Sequence, residues 1–156
     1  MGQIAMIRKK FDQDLHDNYG KPAEIVVAKY LATLPWVEEV IHLPEGEMGV
    51  DFKIIEKDGE VSYADAERRS NWKSWDYEFT FPTIHIAMRK EHFMRECLPF
   101  TLCIVRDDMK RVLFIDGKDI LRWDKIKKPN KYVPSGKEEF FNVPIKSVNI
   151  RYGDLE

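Results

Sequence analysis

The chain has 156 residues, of which 33% are charged and 44% hydrophobic, and a formal net charge of −2. That length suits one domain with one sizeable core, and the composition excludes a disordered or low-complexity chain. The near-neutral charge excludes a histone-like polycation, so any nucleic-acid contact has to come from local basic patches. Cys97 and Cys103 are too few for a disulfide scaffold and lack zinc-ligand spacing; two reduced core thiols fit a cytoplasmic protein. No apolar run approaches the ~18 residues of a membrane helix, so no membrane partner is expected. The short run Ile4-Ala5-Met6-Ile7 is followed at once by three cations, which is not the pattern of a signal peptide.

In chain order, residues 9–18 read as a short polar helix broken near Asn18-Tyr19-Gly20. Pro22 suits the first turn of the next helix. There Ala23, Val26, Val27, Tyr30, Leu31 and Leu34 recur at helical spacing until Pro35 ends it. Residues 37–43 read as a strand and 44–47 as a loop. Residues 49–56 and 60–68 flank Lys57-Asp58-Gly59, a hairpin signal. Strands are expected at 83–88, 100–106 and 111–115, and a helical turn at 90–96. Residues 117–123 read as a short helix. Residues 125–137, with five Lys, two Pro and no acid, read as a loop. Final strands are expected at 138–143 and 145–150, separated by Pro144. The order predicts an α/β or α+β fold built on one central mixed β-sheet flanked by helices.

The hairpin carries the chemistry. A type I turn with Gly59 as a left-handed bulge residue places Glu56 opposite Glu60 and therefore Asp51 opposite Asp65, with Glu67 on the diagonal. Side chains alternate faces, so Asp51, Lys53, Asp65, Glu67 and Arg69 then share one side. A two-residue turn at Asp58-Gly59 instead puts Asp51 and Glu67 on opposite faces. Three carboxylates gathered on one face repel one another, and a hard divalent cation such as Mg²⁺ or Mn²⁺ relieves that repulsion. The bland alternative is a solvated hairpin face, against which Tyr63, Ala64 and Ala66 read as strand-interior residues. A further acid, Glu24, lies at the edge of the apolar stripe of the first long helix, where the helix dipole also favours it.

Glu24 on a helix, Gly49-Val50-Asp51 leading into a strand and Glu67-Arg68-Arg69 on the next strand make the chain resemble the PD-(D/E)XK nuclease superfamily, in the form seen in Holliday-junction resolvases and related phage nucleases. The resemblance covers residues 20–106 as an order of elements. It implies a restriction-endonuclease-like core and metal-dependent hydrolysis of nucleic-acid phosphodiesters, of DNA in the first instance. In that reading Asp51 and Glu67 ligate the metal, Asp65 is a further ligand or orienter, and Glu24 holds a ligand or reaches the ion through water. Arg69, standing where the family usually has Lys, remains protonated and contacts the scissile phosphate. A second alignment takes Asp51, Asp65 and Glu67 as the motif, with an acid in the Lys place; separately, Lys53 or Lys73 could supply a migrated amine.

Substrate grip is expected from Arg68, Arg69, Lys73, Arg89 and Lys90, with Trp72 and Trp75 as core edges or base-stacking surfaces. The Lys-rich 125–137 segment could follow a phosphate backbone. His85 alternates with Ile84 and Ile86 and is placed toward the acidic side of the sheet. Many nucleases of this class pair to cut two strands, which leaves a homodimer open. Two other readings stand beside the nuclease: a binding module on the same scaffold with a lapsed active site, and an unrelated α+β interaction protein whose acids are surface charge.

Overall fold

A computed structural model describes residues 19–43, 50–87, 90–97, 99–129 and 136–155. The helix expected at 9–18, the loop at 44–47 and Arg89 lie outside these residues.

The first long helix, α1, spans Lys21–Ala32, with Pro22 in its first turn. Ala23, Val27 and Leu31, four residues apart, form its buried stripe. Four strands follow: β1 (Val37–His42), β2 (Phe52–Glu56), β3 (Val61–Arg69) and β4 (Thr83–Ala87). Helix α2 is Glu91–Glu96. Strands β5 (Phe100–Arg106) and β6 (Arg111–Asp116) come next, then a single helical turn, α3 (Gly117–Ile120). Strands β7 (Lys125–Pro129), β8 (Lys137–Pro144) and β9 (Arg151–Asp154) complete the order.

The architecture is α+β, but the strands form two sheets rather than one. A six-stranded mixed sheet runs β1-β2-β3-β5-β6-β9, and a three-stranded sheet runs β4-β8-β7. The first three strands of the large sheet form an antiparallel meander, and β5 then lies parallel to β3 after a crossover that includes β4 and α2. Helix α1 covers one face of the large sheet, over Phe52, Ile54, Ala64, Cys103 and Val105. The other face, with Leu102, Ile104, Leu113 and Ile115, packs against Ile84, Ile86, Phe141 and Val143 of the small sheet. Met94 of α2 and Ile120 of α3 fill the same core.

Residues 125–129, expected as loop, are the edge strand β7. Two of its three lysines face acids across the pair, Lys127 opposite Glu139 and Lys128 opposite Glu138, and such opposite charges favour the pairing. Lysine and a terminal proline are also what protects an exposed sheet edge from further pairing. Strand β8 runs on through Pro144, and residues 145–147 form a turn of 3-10 helix, so the strand expected at 145–150 falls later, at β9. The helix expected at 117–123 is only the four-residue α3.

The pairing of β2 with β3 is that of the bulged turn. Phe52 faces Ala64 and Ile55 faces Val61, and the Glu56 amide donates to the Glu60 carbonyl at 2.8 Å. Gly59 has φ +90°, with no atom within 4 Å of the position a Cβ would take. Gly59→Ala therefore meets no clash and strains only the backbone. It is expected to cost about 1 kcal/mol, read as a fall of about 2–4 °C in Tm; an unchanged Tm would mean that the turn does not need a left-handed residue.

Candidate metal and phosphate site

Strand β2 begins at Phe52, opposite Ala64, so the C-terminal half of β3 runs on without β2 beside it. The side chain of Asp51, one residue before β2, takes the place of the missing strand. Its Oδ2 accepts the Ala66 amide at 2.9 Å, while the Asp51 amide donates to Asp65 Oδ1 at 2.8 Å. These reciprocal bonds pin two carboxylates side by side at the sheet edge. Asp65 is only 3% exposed.

Neighbouring charges act strongly on this pair. Burial, then the Asp65 carboxylate and then Glu24 push the Asp51 carboxyl well above its ordinary value. Lys90, immediately before α2, donates from Nζ to Asp65 Oδ2 at 2.9 Å and lies 3.9 Å from Glu67 Oε2. Burial works against its charge, but Asp65, Glu67 and Asp51 together outweigh it and hold the ammonium above the usual lysine range. Lys90 is thus a fixed cation among acids, a hydrogen-bond donor rather than a base, with its side chain only 19% exposed. Neither Lys53 nor Lys73 supplies the amine beside the Asp51–Asp65 pair; Lys90 does, brought there by the crossover from β3 to β5.

The remaining candidates fall around this pair. Glu24 bonds His42 Nε2 at 2.9 Å and is close enough to raise Asp51. Glu67 is on the same face of β3 as Asp65, but its Oε1 is engaged by the Arg69 guanidinium, which also donates to the His85 carbonyl at 2.8 Å. The His85 ring lies near Lys128 Nζ (3.3 Å) on the small sheet. Trp72 is core, at 1% exposed, and Trp75 stands in solvent at 78%.

Arg68 points to the opposite face, as the alternation of β3 requires. Its Nε and one terminal nitrogen donate to the Asp107 carbonyl at 2.9 and 2.6 Å, the other terminal nitrogen to the Tyr19 carbonyl at 3.1 Å, and the guanidinium stacks on the Tyr19 ring. It ties α1's leading segment to the β5–β6 turn. Arg68→Lys cannot reproduce this fork. The substitution is expected to cost about 1–2 kcal/mol, seen in Tm, without changing affinity for an oligonucleotide; an unchanged Tm with weakened binding would contradict this placement.

Among the described residues no group of three His, Cys, Asp or Glu side chains stands ready to enclose one metal ion. The donor chemistry still fits Mg²⁺ or Mn²⁺. Two hard carboxylates lie adjacent, Asp65 buried and Asp51 partly so, and repel each other; Mg²⁺ sites commonly use one or two carboxylates, with water and substrate phosphate completing the shell. No helix among the described residues is long and apolar enough to cross a membrane. No protein-family model matches the chain, and no curated protein matches it.

Proposed function

We propose that this protein is a metal-dependent nuclease of the PD-(D/E)XK type that hydrolyses phosphodiester bonds in nucleic acid, in DNA in the first instance. The observation that carries the reading is the pinned Asp51–Asp65 pair with the Lys90 ammonium 2.9 Å from Asp65. Buried like charges of this kind cost stability, and groups perturbed in this way cluster at functional sites. The order of elements supports it as well: a helix bearing Glu24, a mixed sheet, Asp51 just before β2, and Asp65 and Glu67 on β3 follow the order on which the resemblance rests.

Asp51 and Asp65 are the carboxylates that would hold Mg²⁺ or Mn²⁺. Such an ion supplies Lewis-acid charge at the phosphate and a lowered pKa for an attacking water. Lys90 balances the carboxylates and offers N–H donors to a phosphate oxygen drawn toward them. Arg69, planar and permanently charged, is placed to hold a neighbouring phosphate when it exchanges Glu67 for substrate. Glu24, bonded to His42, adds negative charge near Asp51 from the α1 side.

A second reading, a nucleic-acid-binding module with a lapsed centre, draws on two observations: Arg69 already occupies Glu67, and Lys90 already neutralises Asp65. Incubation of single-stranded, duplex and branched DNA and of RNA with the protein in Mg²⁺ or Mn²⁺ separates the two. Cleavage by wild type that is lost in Asp51→Asn supports the nuclease. Binding without cleavage supports the module, and cleavage that survives Asp51→Asn removes this pair from the chemistry.

A further inference from the structure

Beside the acid pair, the end of β3 and the outer face of the small sheet enclose a cleft of about 380 Å³. Glu67 and Arg69 form one wall. His85 and Ala87 of β4, Phe140 of β8, and Lys128 and Pro129 of β7 form the other. Alternation along the small sheet explains this composition. Ile84, Ile86, Phe141 and Val143 turn inward to the core, so His85, Ala87 and Phe140 turn outward. The His85 and Phe140 rings lie 6.3 Å apart at 47°, and make an aromatic surface with Lys128 at its rim.

Three properties of the cleft select its occupant. Its volume is at the small end of ligand sites, enough for one nucleotide and far too small for a duplex. Its apolar wall offers a stacking surface to any base, and its rim offers cations to a phosphate. It also adjoins the acid site through Glu67, which lines the cleft and lies 3.9 Å from Lys90 Nζ. Burial, then Lys128, and to a lesser degree Arg69, hold the His85 ring below its ordinary pKa, so at neutral pH it is an uncharged ring.

We propose that this cleft receives one unpaired nucleotide next to the cleaved bond, its base against Phe140 and His85 and its phosphate at Lys128. The inference rests on the nuclease reading and narrows it: the substrate is a strand with an unpaired nucleotide at the cut, such as a single strand, a flap or a frayed end. An intact duplex cannot place a base there without first unpairing it, which costs a few kcal/mol.

The test is fluorescence anisotropy with the full chain in EDTA, using a short labelled single strand, as DNA and as RNA, against a blunt duplex of the same sequence. The single strand of at least one sugar type is expected to bind more tightly than the duplex. Phe140→Leu, which keeps an apolar side chain but removes the ring, is expected to weaken single-strand binding about tenfold. Lys128→Gln, on an edge strand, is expected to lower the slope of log K against log salt by about 0.7, and it keeps the test readable if Phe140→Leu lowers Tm. Duplex binding as tight as single-strand binding, or an unchanged salt slope in Lys128→Gln, would overturn the cleft. Because EDTA removes any need for cleavage, the pattern found without hydrolysis in Mg²⁺ or Mn²⁺ retires the nuclease alone; hydrolysis found without the pattern retires the cleft alone.

Discussion

Asp51→Asn is expected to make the metal-free protein more heat-stable while abolishing its response to divalent ions. The asparagine keeps the geometry: its carbonyl oxygen can still accept the Ala66 amide that Asp51 Oδ2 accepts at 2.9 Å. What it removes is a buried negative charge beside Asp65 and near Glu24. Because the folded protein holds the Asp51 proton more tightly than the unfolded chain does, it carries the extra proton as pH rises past the ordinary Asp range, and stability falls as that proton is lost. At neutral pH the variant escapes this penalty; near the unfolded pKa and below, wild type and variant converge. Relief of about 1 kcal/mol raises Tm by about 2–4 °C in a domain of this length. The proposed nuclease activity is expected to fall by about a hundredfold or more, because a carboxylate that would hold the metal is lost. Thermal melts across pH, in EDTA and in Mn²⁺, check both halves. A lower Tm in EDTA at neutral pH would mean that Asp51 is a structural acceptor and not a strained acid.

Lys90→Met is expected to act in the opposite direction and more strongly. The ammonium is the cation nearest to Asp65, and the Lys90 and Asp65 side chains are 19% and 4% exposed. Removing one partner of such a pair leaves the other buried and uncompensated, at a cost of about 3 kcal/mol, or about 6–12 °C in Tm. Mn²⁺ should recover part of that loss, because an ion at the carboxylates supplies the missing positive charge. Combining Lys90→Met with Asp65→Asn should restore much of the stability, since the two side chains share one interaction. A Tm for Lys90→Met within a degree of wild type would show that the amine is not what holds the acids together.

The register of the acidic hairpin was legible only as one of two alternatives, because Gly59 suits both a bulged turn and a two-residue turn at Asp58-Gly59. The pairing of Phe52 with Ala64 is that of the bulged turn, from which counting back puts Asp51 against Asp65. The start of α1 and the spans of β5 and β6 were legible because the period of the apolar residues and the position of Pro22 are local facts, whereas α1 stops at Ala32, short of the end expected at Pro35. Lys90 was not legible as a partner of Asp65. It stands 25 residues away, and only the crossover that lays β5 parallel to β3 brings it back to the sheet edge. Arg68 was legible and passed over, since the alternation that puts Glu67 and Arg69 on one face puts Arg68 on the other. The small sheet was hidden by composition: the lysines and proline of β7 read as loop because edge strands carry the same residues. The cleft followed from that sheet and could not be anticipated without it.

Anomalous diffraction from crystals grown with Mn²⁺ measures directly whether Asp51 and Asp65 together bind one divalent cation, as proposed. One manganese peak is expected within coordinating distance of carboxylate oxygens of both residues, and none at that place in crystals of Asp51→Asn. A well-ordered wild-type site with Lys90 still bonded to Asp65 and no manganese beside it would remove the metal from this pair.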